Sequence, residues 1–355
     1  MFKIHPLISF HKLRLPLQNI SKKLIPKDRH TMSLDIPRYL ERICFKQRPE
    51  VSLKCLEELQ ACHQLTVPFE NLDVFTGRKK ILNVDLIYNQ IVLKKRGGWC
   101  HELNGLFCSL LRQLGFDVKI ISCEHYDRHK KSFNTVQYDH MALKVTLGSV
   151  KYLVDVGYGC ENQHFKPLPI STTGTHSQVI TPKLKFCTDI LCSIIGVITI
   201  TNYSCTFFNK EGGLYRFIFQ EGEWFLQHRS KQLQHNLDTI HNPNIDEEKW
   251  YTMYKFRETS RKLEEFQPCC SLYETDPSTA LSFLPMCILK TNGGKEVKKI
   301  IGKKFTKITF GDNTDEETTT SNMPDEDLNL ILRSTFGIVL RDPIPFNAIL
   351  QRIHG

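Results

Sequence analysis

After the amino-terminal stretch, apolar residues recur at spacings of three and four over the first third of the chain. Tyr39, Leu40 and Ile43 form one such set, Leu53, Leu56, Leu59 and Cys62 behind Ser52 a second, and Leu86, Ile87 and Ile91 behind Asn83 a third. A fourth, Leu103, Phe107, Leu110, Leu111 and Leu114, runs up to Gly115. Each traces one face of a helix bounded by residues that cap or stop one. The pattern predicts a small helical bundle whose last helix starts near Cys100. From Phe116 the period shortens: Val118, Ile120 and Ser122 alternate with Lys119 and Ile121, and β-branched or aromatic runs follow at 141–147, 151–156, 190–200, 214–220 and 223–227. These read as strands, with Glu221-Gly222 as a hairpin turn, and so many strands on short connections predict an antiparallel barrel or sandwich. From Trp250 the pattern is mixed, with strands at 250–256, 286–290 and 305–310 and helices around 258–266 and 325–336. The acidic stretch from Asp312 to Glu317 reads as a solvated loop.

One hairpin allows a register to be predicted. Only Gly148-Ser149 separates the runs 141–147 and 150–155, and a two-residue loop opening with glycine suits a type II′ turn. Paired residue numbers then sum to 297, which sets Asp155 opposite Ala142 and His140 opposite Gly157. His140 and Asp155 would be diagonal neighbours on one face, within reach of each other. A carboxylate between Val154 and Val156 needs a cationic or N–H partner, and His140 is the natural one. The expected contact is from the carboxylate to the imidazole Nδ1.

Composition narrows the class. The 355 residues, 41% hydrophobic and 24% charged, exceed the usual size of a single core, so an α+β chain of several domains is expected. The longest apolar stretches, such as 194–200, are too short for a transmembrane helix. Thirteen cysteines, with no Cys-x-x-Cys pair and no zinc spacing, suggest reduced thiols, Cys269-Cys270 among them, and no metal. Residues 1–31 hold seven basic residues against one acid, so +6 of the net +9 lies there and +3 is left for the rest. That distribution does not favour a nucleic-acid partner. The first 31 residues read as a basic extension, unordered or unused, with organelle import as the other reading; a cytoplasmic protein without a membrane partner is expected.

The chemistry concentrates at Arg96-Gly97-Gly98-Trp99-Cys100-His101-Glu102-Leu103-Asn104. It places a thiol where a tight glycine turn gives way to a helix, and the unpaired N–H groups and dipole of a first turn favour the thiolate. This stretch resembles the nucleophile motif of the arylamine N-acetyltransferases, Arg-Gly-Gly-aromatic-Cys-x-Glu-x-Asn, at Arg96, Gly97, Gly98, Trp99, Cys100, Glu102 and Asn104. Val67-Pro68-Phe69-Glu70-Asn71-Leu72 resembles a second family motif, and His140 and the run from Val154 to Gly159 resemble the places of its histidine and aspartate. The resemblance extends from about Leu34 to the carboxyl-terminal region.

That resemblance implies a helical domain (32–115) carrying the nucleophile, a central antiparallel β-barrel (116–256) carrying histidine and acid, and an α/β lid (257–355), with a Cys100–His140–Asp155 triad between the first two. It implies that acetyl-CoA acylates Cys100 and that an arylamine, arylhydrazine or N-hydroxyarylamine then takes the acetyl group, in a ping-pong cycle of a monomer. Asp276-Pro277-Ser278-Thr279-Ala280 resembles the family's CoA-binding segment, which assigns Ser278 and Thr279 to the cofactor. Tyr158 and Cys160 fall where the family carries acceptor preference. The tail 343–355 departs from the vertebrate pattern. Triad chemistry alone leaves a transglutaminase or a cysteine peptidase open, since both use the same residue types.

Overall fold

The structure, a computed structural model, describes residues 34–171 except 129, 204–209, 213–229, 250–341 except 277–278, 311–315, 323 and 325–326, and residue 344. The basic extension, the run at 190–200 and nearly all of the tail 343–355 lie outside them. The helical part comprises α1 (Ile36–Arg42), α2 (Leu53–Thr66), a two-residue strand β1 (Phe69–Glu70), α3 (Leu72–Phe75), α4 (Val84–Tyr88) continuing into a wider turn over Asn89–Leu93, and α5 (Cys100–Gln113). Ser52 Oγ accepts from Cys55 N–H at 3.2 Å, and Asn83 Oδ1 accepts from Asp85 and Leu86 N–H at 3.0 and 3.1 Å. Both caps are those the spacing predicts. The Arg42 guanidinium donates to Thr66 O (2.7 Å), Ile91 O (2.9 Å) and Arg96 O (3.2 Å), tying the ends of three segments to one side chain.

The β-rich part comprises β2 (Asp117–Asp127), β3 (Ser132–Phe133), β4 (His140–Leu147), β5 (Val150–Val154), β6 (Leu168–Ile170), β7 (Ser204–Asn209), β8 (Gly213–Gln220), β9 (Glu223–Arg229) and β10 (Tyr251–Phe256). They run in the order β6-β5-β4-β2-β10-β9-β8-β7, with β3 beside β2 and neighbours antiparallel. Among the described residues β6 and β7 do not pair, so the expected barrel is open there. Glu221 and Gly222 both take positive φ and close β8 on β9 with Gln220 opposite Glu223, as a type I′ turn requires. In the β4–β5 hairpin Leu147 pairs with Val150 and Leu143 with Val154, the predicted register. β5 ends at Val154, however, so Asp155 and Gly157 leave the ladder and His140 does not face Gly157 across it.

A second antiparallel sheet joins β1 to β11 (Met286–Thr291), β12 (Glu296–Ile301), β13 (Lys304–Phe310) and β14 (Glu316–Asn322). It packs with α8 (Asp327–Phe336), reached after α6 (Gln267–Thr275) and α7 (Ala280–Phe283), through Cys287, Leu289, Ile300, Leu328, Leu332 and Phe336. Two predictions are corrected here. The helix expected around 258–266 is instead an irregular stretch and a single tight turn, Leu263–Phe266, with the helix proper following as α6. Pro268 sits in that helix's first turn, the one helical place where its missing N–H costs nothing. Glu316 and Glu317 open β14 rather than closing a loop.

Leu56, Leu59, Leu103, Phe107 and Leu111 share one core with Val118, Leu143 and Val145 of the strands and with Phe266, Cys270 and Tyr273. Among the described residues no helix is long and apolar enough to cross a membrane. His63 lies in that core, its ring 5.2 Å from Phe107 and 6.1 Å from Tyr39, with neither ring nitrogen bonded among the described residues. Burial, helped by the Arg42 charge, pushes its pKa down from 6.5 to about 3, and burial does the same to His101. The unfolded chain therefore binds protons that the native state refuses, and stability present above pH 6.5 is lost as pH falls towards 3, by about 1.4 kcal/mol per pH unit for each imidazole. Thermal or urea unfolding between pH 7 and 4 should show such a slope, to which His125 and His164, also pushed down by burial, add, and His63→Phe should reduce it by about 1.4 kcal/mol per pH unit; an unchanged slope would contradict the assignment.

Candidate active site

Cys100 is the first residue of α5, and the chain reaches it through extended Trp99. The two preceding glycines serve close approach. A Cβ on Gly97 would lie 2.1 Å from Pro68 O, and one on Gly98 2.8 Å from Glu102 Oε2. Glu102, in the first turn of α5, folds back to accept from Trp99 N–H at 3.2 Å, closing the helix start as a capping-box acid does. It also pairs with buried Lys80 at 3.0 Å. Beside it Arg96 pairs with Glu70 at 2.8 Å and Asp73 at 3.2 Å. The turn carrying the thiol thus rests on a buried network in which every charge has a partner, the condition under which buried charge is tolerated.

One turn along α5, Asn104 joins the helix to the strands. Its Nδ2 donates to Met141 O at 2.7 Å and to Asp155 Oδ1 at 2.9 Å, and its Oδ1 accepts from Val156 N–H at 2.9 Å. Gly157 lets the two backbones meet, since a Cβ there would lie 2.9 Å from both Cys100 Cα and Asn104 Nδ2. Asp155 is 0% exposed. Its Oδ1 also accepts from Gly157 N–H at 2.8 Å, while Oδ2 accepts from His140 Nε2 at 2.7 Å and Tyr254 O–H at 3.3 Å. Burial alone would raise this carboxyl. The His140 charge and hydrogen bond, with His164 and Asn104, outweigh it and hold Asp155 below the usual carboxylate range. The contact runs through Nε2, not the expected Nδ1, because His140 meets the acid after β5 has ended.

Cys100 Sγ lies 4.0 Å from Asp139 O. Burial first, then Cys269 and the Asp139 carboxylate, push the thiol well above its ordinary range, against the lowering expected from the helix start alone. His101, next in sequence, is spoken for. Its Nε2 bonds Tyr138 O at 3.0 Å, so Nδ1 accepts from the Cys270 thiol at 3.0 Å, and its pKa is pushed down to about 3. Asp139 is likewise engaged, accepting from His125 N–H at 2.9 Å and from Tyr273 O–H.

The Tyr158 ring stands edge-on to His140 at 5.4 Å and tilted to Tyr254 at 5.3 Å, its hydroxyl 3.2 Å from His125 Nδ1. Cys160 lies on the same loop, half-buried. Thr279 uses its Oγ1 to accept from Leu281 N–H at 3.1 Å at the start of α7, and Ser278 is outside the described residues. A pocket of about 400 Å³ lined by Ser122, Phe133, Asn134, Gln137, Tyr138 and Arg261 touches none of Cys100, His140 or Asp155. Among the described residues no group of His, Cys, Asp and Glu is arranged to hold a metal. The sequence reading gave no role to Tyr254, or to Asn104 beyond its place in the motif. A buried acid flanked by valines signals that donors exist but not which residues supply them.

Gly157→Ala should test the close approach of helix and loop. Overpacking of this kind costs roughly 1–3 kcal/mol, and here it also separates Asn104 from Asp155. The variant should melt lower and lose activity; a neutral result would mean the contact can give way.

The N-acetyltransferase family profile matches residues 52–189 and 207–344. Arylamine N-acetyltransferase 1 of Homo sapiens is 28% identical over 314 residues, which cover 87% of this chain and 95% of that protein. Arylamine N-acetyltransferase 2 of Mus musculus is 26% identical over 311 residues, covering 86% and 95%. The solved structure of Mycobacterium marinum arylamine N-acetyltransferase in complex with CoA matches with a TM-score of 0.66 at 21% identity, over 90% of this chain and 98% of that one, and shares its fold. With the profile spanning most of its length, the chain belongs to the arylamine N-acetyltransferase family of acyltransferases.

Proposed function

We propose that this enzyme moves the acetyl group of acetyl-CoA, through a thioester on Cys100, to the nitrogen of an arylamine or arylhydrazine, or to the oxygen of an N-hydroxyarylamine. The observation that carries the reading is the 2.7 Å contact between Asp155 Oδ2 and His140 Nε2 beside the start of α5. With Nε2 committed to the acid, Nδ1 is the nitrogen left for the thiol. The thiol gives its proton to His140 as the sulfur attacks the acetyl carbonyl. The ionised Asp155 offsets the imidazolium charge. When the tetrahedral intermediate collapses, the imidazolium returns that proton to the departing CoA sulfur. In the second half-reaction the amine attacks the thioester, His140 takes the amine proton, and the Cys100 thiol is restored. Cys100 is half-buried, and a thioester there meets less water than one on the surface, which protects it until the amine arrives.

Tyr158, against the His140 ring, and Cys160 are proposed to line the acceptor site. Ser278 and Thr279 are proposed CoA contacts, with the Thr279 O–H left to donate after its oxygen has capped α7. The CoA complex of the Mycobacterium marinum relative supports acetyl-CoA as co-substrate. We take 32–115, 116–256 and 257–355 as the domains of a cytoplasmic monomer whose partners are small aromatic amines or hydrazines. A transglutaminase or peptidase cycle uses the same residue types, but family membership favours acetyl transfer.

Incubation with acetyl-CoA should add one acetyl group to Cys100, discharged by an arylamine, as read by intact-protein and peptide mass spectrometry. Cys100→Ser should take up none. Asp155→Asn should slow the acetylation by roughly a hundredfold or more while keeping the fold. Acetylation elsewhere, or at an unchanged rate in Asp155→Asn, would overturn the assignment.

A further inference from the structure

Behind Asp155, on the side away from His140, two glutamines of α2 reach across the core. Gln64 Nε2 is 2.9 Å from Asp155 O and 2.9 Å from His164 O. An amide nitrogen carries two hydrogens, so one side chain holds both carbonyls. Gln60, one turn earlier, adds weaker support, its Nε2 3.1 Å from His164 O and 3.4 Å from Asp155 O. Gln163 donates to Asp155 O at 2.9 Å from within the loop. Between the two held carbonyls run the residues from Val156 to Gln163, with Gly157 against Cys100 and with Tyr158 and Cys160.

The orientation of these amides is forced. Backbone carbonyls only accept, so nitrogen must face them, and the amide oxygens point away. Gln60 Oε1 and Gln64 Oε1 are both buried without a partner among the described residues, and so is His164 Nε2, whose other nitrogen donates to Lys166 O at 2.8 Å. A buried polar atom without a partner is destabilising. Three of them around one pair of carbonyls mark a place where the fold gives up stability to hold a loop in one position.

We propose that Gln64 is a positioning residue for acyl transfer, tying both ends of the Asp155–His164 loop to α2 and so fixing the acid behind His140 and the acceptor wall together. This rests on the reading of Asp155 as the triad acid. A backbone carbonyl pulled towards α2 sets where the Asp155 carboxylate emerges, and Asn104 and Gly157 N–H fix it from the other side. Without Gln64 the carboxylate keeps its four donors, while the two carbonyls keep only the longer Gln60 bonds and Gln163 on Asp155 O, which loosens the loop that must present Tyr158 to the amine. The larger effect therefore falls on the acceptor step, with a smaller one on cysteine acetylation.

Gln64→Met keeps length and volume and removes both donors. The acceptor KM should rise about tenfold, and single-turnover acetylation of Cys100 should fall several-fold, rates being normalised to acetylatable Cys100. Gln60→Met should change either by less than about threefold, because Gln64 still holds both carbonyls. A lowered Tm with both half-reactions unchanged would overturn the proposal and leave Gln64 merely structural. Equal losses in both would overturn it too. If Gln64→Met does not fold, Gln64→Asn decides, since its shorter side chain keeps the amide but cannot reach both carbonyls: the acceptor KM should rise more than Cys100 acetylation slows, and an unchanged acceptor KM would contradict the proposal. An Asp155→Asn enzyme that acetylates at the normal rate would instead sink the triad reading and leave the acceptor-KM result for Gln64 standing.

Discussion

A carboxylate with no access to water is the constraint around which the site is built. Asp155 is wholly buried, and an ion there is tolerable only if its oxygens are hydrogen-bonded and a positive charge can form beside it. The donors come from four places. His140 opens β4, Asn104 lies on α5, Gly157 follows in the same loop, and Tyr254 stands on β10. Satisfying one side chain thus draws the helix and two strands to a common point. Because Asn104 is four residues from Cys100 on one helix, the same bond that satisfies the acid sets the distance of Cys100 from it.

The thiol is held differently. The turn before it has no room for side chains and is braced by two cations, Arg96 and Lys80, set among three carboxylates, Glu70, Asp73 and Glu102, each paired within the protein. Glu102 is therefore bound to Lys80 and Trp99 N–H, and Asp139 to Tyr273 and His125 N–H. Neither carboxylate is hydrogen-bonded to His140, whereas Asp155 is. Likewise His101, adjacent to the thiol, has both nitrogens in use. Proximity in sequence to Cys100 is thus a poor guide to partnership; the contact with Asp155 is made by His140 at the start of β4, after β5 has ended.

Much of this was legible from residues alone, for definite reasons. Helical spacing with Ser52 and Asn83 as caps gave α2 and α4, and the glycine-led two-residue turn gave the β4–β5 register to the residue. The ladder's end at Val154 was not legible, because it depends on Asn104 of α5 capturing the chain, with Gly157 allowing the close approach. For the same reason the imidazole nitrogen that meets the acid was misread. The strand Glu296–Ile301 was missed because its Lys298-Lys299 pair breaks the apolar alternation, and the expected helix at 258–266 was displaced by a proline suited to a helix's first turn. The contacts of Gln60 and Gln64 could not be foreseen, since glutamines on a helix usually face water.

The proposed triad turns on one proton. If the buried carboxylate orients the base, the neutral His140 imidazole carries its hydrogen on Nε2, towards Asp155, and presents a bare Nδ1 to the thiol. Long-range 15N–1H NMR correlations on histidine-labelled protein near neutral pH, with His140 assigned by substitution, read the tautomer directly. The account predicts the Nε2–H form in the wild type and its loss or weakening in Asp155→Asn. An Nδ1–H tautomer in the wild type would contradict it.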